Sequence, residues 1–411
     1  MKKLLQINTV CNSASTGKIA EDIGALAISK GWSSYIAYGR GKRPSVSEKF
    51  RIGSDISLYI NVLRSRLFDS EGFTAEIATK KLINYIQFIK PDIIHLHVLH
   101  GYYLNIEFLF KYLSSCNIPI IWTLHDCWPF TGHCTFFDIV ECNKWKTECI
   151  NCPQKKEYPA CFLFDFSKKN YHNKNRIFNS IENITLVPVS NWLKGLVYQS
   201  FLKDYPQKLI YNGVNLNVFY PKIDTIEIKK RYNIVDKCIL LGVASIWDRR
   251  KGLSDFIKLS HLIDEKTTII LVGLTKKQLI NLPQNIIGLE RTENISQLVE
   301  LYSLSNLFLN FTYEDNFPTT NIEALACGTP VLTYKTGGSI ESVSSDTGFI
   351  VEKGDLENVM NVINLIKNHE KISYVDACRS RAIELYNMDD RYEEYFELYD
   401  KLIDSKLISK I

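Results

Sequence analysis

Hydrophobic positions along the chain follow two alternating rhythms. Short apolar runs at 3–10, 34–38, 92–97, 119–124 and 185–189 have the length and continuity of strands buried on both faces. Between them lie stretches with helical spacing; in 18–30, Ile19, Ile23, Leu26 and Ala27 share one face. Strand–helix alternation of this kind predicts a parallel sheet with helices packed on both sides. The rhythm restarts after Tyr211-Asn212-Gly213-Val214, with strand-like runs at 238–244, 268–272, 307–311 and 329–334 and helical spacing in 254–263 and 295–304. The pattern predicts two α/β domains, 1–206 and 207–411, meeting near Pro206. The last segment, 386–411, reads as a tyrosine-rich amphipathic helix with no strand after it. Ligands of open parallel sheets sit beyond the carboxyl ends of the strands, so two such sheets predict a cleft between domains.

Composition narrows the class. A chain of 411 residues exceeds one ordinary core, and two domains of roughly 200 residues each are expected. Apolar residues at 45% and charged residues at 23% are globular values. The net charge of +4 provides no concentrated basic field, which argues against a nucleic-acid partner. The start, Met1-Lys2-Lys3-Leu4-Leu5, resembles a leader, but Gln6, Asn8 and Thr9 interrupt it. No run reaches the ~18 apolar residues that span a bilayer. A cytoplasmic location is the expectation.

Candidate chemistry falls just after predicted strands. Tyr313-Glu314-Asp315-Asn316-Phe317-Pro318 forms an irregular loop that opens a helix near Thr319-Thr320, and that helix ends at Gly328. Loop amides at a helix N-terminus form an anion site suited to a diphosphate. Glu323, about one turn inside, can accept both hydroxyls of a ribose; an exposed surface glutamate is the competing reading. Arg249-Arg250-Lys251 also sits between a strand and a helix, where fixed cations can stabilise a departing diphosphate. A solvated surface run is the alternative. Asn12 to Lys18 opens the first helix and is not a P-loop, which would need Gly at 12 and Ser or Thr at 19. Gly17 there allows close backbone approach to a phosphate or sugar, or simply makes a tight turn. His125, with Asp126, follows the strand ending at Leu124 and should project toward the cleft. Tyr38-Gly39-Arg40 is either part of an acceptor side or a strand-end turn.

Two further patterns stand apart. Six of the eleven cysteines lie between Cys127 and Cys161. Cys134, Cys142, Cys149 and Cys152 have the spacing C-x7-C-x6-C-x2-C, whose closing C-x-x-C is a good zinc half-site. Cys127, His133 and Cys161 are alternates, and free or oxidised thiols are the non-metal reading. In 56–68, Ile56, Tyr59, Ile60, Leu63 and Leu67 share a helical face beside Arg64 and Arg66, preceded by Arg40, Lys42, Arg43, Lys49 and Arg51. Such a helix either lies in an anionic membrane interface or packs on its own sheet.

The motifs taken together resemble family 4 retaining glycosyltransferases over nearly the whole chain. The resemblance rests on the acidic-x7-Glu signature ending at Glu323 with "EALACGTPV", and on "HLH", "WTLHD", "VSNWL", "YNGVNLNVF", "RRKG" and "TGGSIE". "HDCWPFTGHC" and "CPQ" are similar to the branch that builds capsular and exopolysaccharide repeats. The resemblance implies a GT-B fold: two Rossmann-like domains facing across a cleft, the final helix crossing back to the N-domain. It implies a UDP- or GDP-sugar donor held by Gly17, Asp315, Asn316, Phe317, Pro318, Thr319, Thr320 and Glu323. His125, Lys251 and Arg249 or Arg250 would act on the transferred sugar and phosphates, with no catalytic metal and, at most, a structural zinc. The acceptor would be lipid-linked or an oligosaccharide, met at the inner face of the plasma membrane.

Two positions depart from that pattern. The first acid of the signature is Asp315, with Glu314 beside it, where many relatives carry Glu. The arginine of the usual "GRL" is absent from Ala244-Ser245-Ile246-Trp247-Asp248, so Arg249 or Arg250 must supply its charge. Rival readings are a GT-B epimerase of the nucleotide-sugar, a non-catalytic partner subunit, and a zinc-ribbon-like nucleic-acid binder.

Overall fold

Runs of Ile, Leu and Val form the central strands of both units of this computed structural model, which describes residues 1–222, 226–368 and 371–408. The first unit comprises 1–210 and 392–411, the second 211–391. The division falls just beyond the expected Pro206. The first unit runs β1 (Lys3–Val10), α1 (Ala14–Ser29), β2 (Ser33–Arg40), β3 (Glu48–Arg51), α2 (Asp55–Phe68), α3 (Glu76–Ile89), β4 (Ile93–Leu96), α4 (Ile106–Ser115), β5 (Ile120–Leu124), α5 (Ser167–Phe178), β6 (Ile184–Pro188) and α6 (Asn191–Val197). The second runs α7 (Ile226–Arg231), β7 (Cys238–Val243), α8 (Leu253–Ser260), β8 (Thr267–Val272), α9 (Lys276–Ile280), β9 (Ile286–Leu289), α10 (Ile295–Leu304), β10 (Leu307–Asn310), α11 (Thr319–Ala326), β11 (Val331–Tyr334), β12 (Gly348–Val351), α12 (Leu356–Asn368), α13 (Ile372–Tyr386) and the start of α14 (Met388–Ile408).

Each unit contains one six-stranded sheet, ordered β3-β2-β1-β4-β5-β6 and β12-β11-β10-β7-β8-β9. Among the described residues the strands of both sheets pair in parallel, β1 with β2 and β4, and β7 with β8 and β10, at the centres. The winding reverses between β1 and β4 in one sheet and between β7 and β10 in the other. Loops leaving the carboxyl ends of those strands border the crevice where doubly wound sheets bind ligands. The strands invisible to the apolar pattern, β3, β9 and β12, are edge strands. Glu48-Lys49-Phe50-Arg51 carries charge along its edge, as edge strands commonly do.

Helix α14 continues the tyrosine-rich pattern, and from Tyr392 onward it belongs to the first unit. Tyr392, Tyr395, Phe396 and Tyr399 are buried there. The hydroxyl of Tyr399 lies 2.7 Å from His95 Nδ1, and Thr123 Oγ1 donates to Tyr395 at 3.1 Å. Residues 409–411 of the expected helix lie outside the described residues. Helix α2 forms where the periodicity places it, but not as a helix packed by its apolar face: its buried residues are Asn61 and Ser65. No helix among the described residues is long and apolar enough to cross a membrane.

The Tyr399–His95 contact generates a test. Tyr399→Phe leaves a buried imidazole nitrogen without its partner and should cost about 1–3 kcal/mol. Tyr399→Ala adds a cavity and should cost about 3–5 kcal/mol. Urea denaturation of both variants measures the difference.

Candidate active site

The reversal point of the second sheet brings two loops together. After β7 the chain makes a short 3-10 turn at Arg249–Lys251, begun by Asp248, whose carboxylate accepts the Lys251 amide at 3.1 Å. Gly252 ends the turn with φ +72°, and a Cβ there would lie 2.2 Å from the carbonyl oxygen of Phe311, just past β10. Only glycine permits both the left-handed backbone and this approach. The second loop is tied back: Tyr313 N–H donates to Arg250 O at 2.8 Å. Asp255, on α8, accepts from the hydroxyls of Tyr313 at 2.6 Å and Tyr334 at 3.0 Å.

Between these loops sits an ion cluster. Lys251 Nζ lies 2.5 Å from Asp315 Oδ2, and Arg250 Nη1 lies 3.7 Å from the same oxygen. Arg250 also donates to the carbonyl of Glu314 at 2.9 Å, whereas Arg249 is exposed. Arg250 therefore faces the acidic loop and Arg249 faces solvent. Burial pushes the Asp315 carboxyl up, but Lys251, Arg250 and the Phe317 amide outweigh it and hold it below its usual range.

Helix α11 begins beside this cluster. Pro318 occupies its N-cap in extended conformation, and no side chain caps it. A proline cannot cap with a side-chain oxygen; in the first turn the Asn321 amide donates to Pro318 O at 3.2 Å, and the turn takes no side-chain acceptor from its own cap. Thr319 and Thr320 are partly exposed there. Phe317 instead turns inward, with its ring 5.0 Å from Tyr211 and 5.5 Å from Tyr386, and anchors the loop. Asn316 is buried as well. One turn into α11, Glu323 accepts from the Tyr302 hydroxyl at 2.9 Å and from Thr319. Burial raises its carboxyl to about 7 against these two hydrogen bonds.

In the first unit, His125 follows β5 as expected. Its Nε2 is 3.2 Å from His97 Nδ1, and His97 Nε2 is 3.1 Å from Gln6 Oε1. Burial lowers the His125 imidazole to about 4, so it is neutral at physiological pH. Gly17 serves close packing: a Cβ there would lie 3.0 Å from Val10 Cγ2 and 3.2 Å from Val10 O. Arg40 is exposed at the end of β2.

The cysteine-rich insertion folds against the start of α5. Cys134 and Cys152 share a hydrogen bond in which Cys134 is the thiol; that bond, with His133, draws Cys152 down to about 7. Cys149 accepts from Gly132 N–H at 3.2 Å, and Cys142 lies near Cys149. His133 Nδ1 meets Asp69 Oδ1 at 2.5 Å, leaving a buried Nε2 with no hydrogen-bond partner among the described residues. Among the described residues, no three His, Cys, Asp or Glu side chains close to metal-holding distance. Lys174, invisible as a motif, is buried beneath the insertion; it donates to the carbonyls of Trp128 at 2.9 Å and Thr131 at 3.1 Å, and burial pulls it down to about 7.

Comparison with known proteins fits this geometry. Residues 224–384 match the family described as "Glycosyl transferases group 1". The chain is 23% identical, over 97% of its length and 100% of the relative's, to a putative colanic acid biosynthesis glycosyl transferase of Escherichia coli K12. It is 25% identical to an N,N'-diacetylbacillosaminyl-diphospho-undecaprenol alpha-1,3-N-acetylgalactosaminyltransferase of Campylobacter jejuni, covering 46% of this chain and 53% of that one. The chain is a glycosyltransferase. Its fold is GT-B, similar to HepE of Anabaena crystallised with UDP, at TM-score 0.68 and 15% identity over 98% of this chain and 100% of that one.

The site also rests on contacts from residues that no motif revealed. Tyr302 holds Glu323 from α10, a different helix, and Asp255 ties the first turn of α8 to Tyr313 of the second loop and to Tyr334 of β11. Their signals in the sequence are single polar residues within helical periodicity, which carry no spacing rule. Gly252→Ala tests the frame. It should cost about 1–3 kcal/mol from backbone strain alone, and the clash with Phe311 should move Lys251. The enzyme's urea midpoint and its donor Michaelis constant should both worsen; an unchanged pair would show that the approach of the two loops is not needed.

Proposed function

We propose that the enzyme is a retaining glycosyltransferase that transfers a sugar from a UDP- or GDP-sugar to a lipid-linked or oligosaccharide acceptor in bacterial surface polysaccharide assembly. The observation that carries this reading is the grouping of Lys251 and Arg250 on Asp315 beside the uncapped start of α11, with Glu323 one turn inside. The donor diphosphate takes the α11 amides and the two cations. Glu323 accepts the ribose hydroxyls. The names of relatives support the pathway: one is a colanic acid glycosyl transferase, and one is named for a diphospho-undecaprenol acceptor. A structural neighbour holds UDP, which supports a nucleotide donor.

In the proposed step the bond between the anomeric carbon and the diphosphate oxygen breaks, and its electron pair leaves with the diphosphate. The acceptor oxygen bonds to that carbon on the same face and passes its proton to a departing phosphate oxygen. Lys251 and Arg250 stabilise the charge that develops. His125 contacts the transferred sugar as a neutral imidazole. A structural zinc ion held by Cys134, Cys142, Cys149 and Cys152 belongs to the proposal as well, supported by the Cys134–Cys152 contact. Cys142 and Cys149 would have to turn toward that pair.

Lys251→Ala should lower kcat by about two orders of magnitude. Arg250→Ala should be far more damaging than Arg249→Ala, and full activity in all three would place the phosphate site elsewhere. Glu323 gives a pH signature. Its carboxyl sits at about 7 in the free enzyme, and the form that accepts two ribose hydroxyls is the carboxylate. Binding then releases a proton, so nucleotide affinity should rise between pH 6 and 8 and level above that. Glu323→Gln should lose that component of the slope and about 1.5–3 kcal/mol of affinity. Calorimetric titration across pH measures both; parallel curves for the two proteins would remove Glu323 from the ribose site. Elemental analysis of protein purified without chelator should find about one zinc per chain, and none would remove the metal.

A further inference from the structure

Helix α2 is built inside out. Its buried residues are the polar Asn61 and Ser65, and Asn61 Nδ2 donates to Tyr102 O at 3.0 Å. Four of its apolar residues point away from the unit: Ile56 is 74% exposed, Tyr59 75%, Ile60 54% and Leu63 59%, while Leu58, Val62 and Leu67 are partly buried. Their spacing of three and four residues aligns them along one face. A helix that served only the core would have the opposite polarity.

A second apolar element extends this face. Past the cysteine-rich insertion, Phe162, Leu163 and Phe164 are 56%, 59% and 47% exposed. The segment is fastened to the end of α2. Phe162 N–H donates to Arg66 O at 2.8 Å, the Phe164 ring stacks on Phe68 at 5.8 Å, and Phe166 N–H donates to Asp69 at 2.9 Å. From inside the segment, Cys161 Sγ donates to Phe164 O at 3.0 Å. Scattered exposed apolar residues need no explanation, but a continuous surface of this kind does.

The charges around it choose the occupant. Arg64 and Arg66 are exposed among the apolar residues of α2, and Lys156 is exposed six residues before Phe162 in the chain. Lys155 reaches Leu163 O at 3.4 Å. At the other end Arg51 pairs with Asp55, and Lys42 lies close enough to help lower that carboxyl. A second copy of the chain would set these cations against their own kind. Anionic headgroups satisfy them while the acyl boundary takes the Ile, Leu and Phe side chains, and Tyr59 suits the interface between.

We propose that α2 and segment 162–166 together form a docking surface for an anionic lipid bilayer. The inference does not depend on the identity of the donor or acceptor. Co-sedimentation of the full chain with phosphatidylcholine vesicles, with and without phosphatidylglycerol, tests it at low and physiological salt. Binding should favour the anionic vesicles and fall with salt. Arg64→Gln or Arg66→Gln should each weaken it about fivefold. The pairs Ile60→Ser with Leu63→Ser, and Phe162→Ser with Phe164→Ser, should each weaken it roughly tenfold or more. These side chains are exposed, so thermal stability and the stabilisation by UDP should stay at wild-type values; loss of UDP binding in the wild type would instead strike the proposed function. Full recovery of the wild type in every supernatant overturns the proposal. So does wild-type binding by both double variants, or a concentration-dependent dimer that the same substitutions abolish while vesicles bind nothing.

Discussion

Asp315 is a carboxylate removed from water and kept ionised by two cations, and the arrangement of the second unit's site depends on it. Burial alone would favour its protonated form. Lys251 at 2.5 Å, Arg250 at 3.7 Å and the Phe317 amide reverse that preference. The same contacts hold Lys251 and Arg250 in place before any ligand arrives. Removing the carboxylate would leave two half-buried cations facing each other, which is the costly way to break such a cluster. A donor diphosphate brings more negative charge than Asp315 provides, so it can share the cations without having to assemble them. Fixed charges of this kind stabilise a leaving group without reorganising at the moment of reaction.

The rest of the second unit serves that cluster. Gly252 lets the loop after β7 touch the loop after β10, and Asp255, at the start of α8, holds Tyr313 of the second loop and Tyr334 of β11. Pro318 leaves the amides of α11 uncapped while Phe317 anchors the approach to them. The first unit has a different electrostatic character. Burial keeps His95 and His97 well below the usual imidazole range and His125 at about 4. That string, with Gln6 behind it, offers neutral hydrogen bonds rather than charge.

Much of this was legible in the residues. The apolar runs located the central strands because those strands are buried on both faces, and the restart of the pattern divided the chain. The placement of Lys251 and the acidic loop after strands, and of Glu323 one turn into a helix, was legible because the apolar runs mark where those strands end. Edge strands β3, β9 and β12 were not, since a short strand exposed at one edge has no distinctive pattern. Choosing between Arg249 and Arg250 required the 3-10 turn, because adjacent residues point apart by an angle that no spacing rule supplies. Phe317 belongs to the loop expected to hold the donor, and its packing between Tyr211 and Tyr386 is not visible in the sequence. At Gly17 the sequence leaves ligand approach and a tight turn both open, and the close contact with Val10 is not visible in it. Helix α2 showed the correct periodicity, but periodicity does not say which face turns inward; the polar contact of Asn61 with Tyr102 decided it.

The central claim is that the Lys251–Arg250–Asp315 cluster and the start of α11 form a diphosphate site. Thermal unfolding of the enzyme with UDP and with uridine, and with GDP and guanosine, tests it most directly. Ligand at 100 times its dissociation constant stabilises by about 2.7 kcal/mol. One diphosphate should raise the midpoint strongly, its nucleoside at the same concentration should barely move it, and added salt should narrow the gap. Equal shifts from nucleoside and diphosphate, or no shift from either diphosphate, would contradict a diphosphate site there.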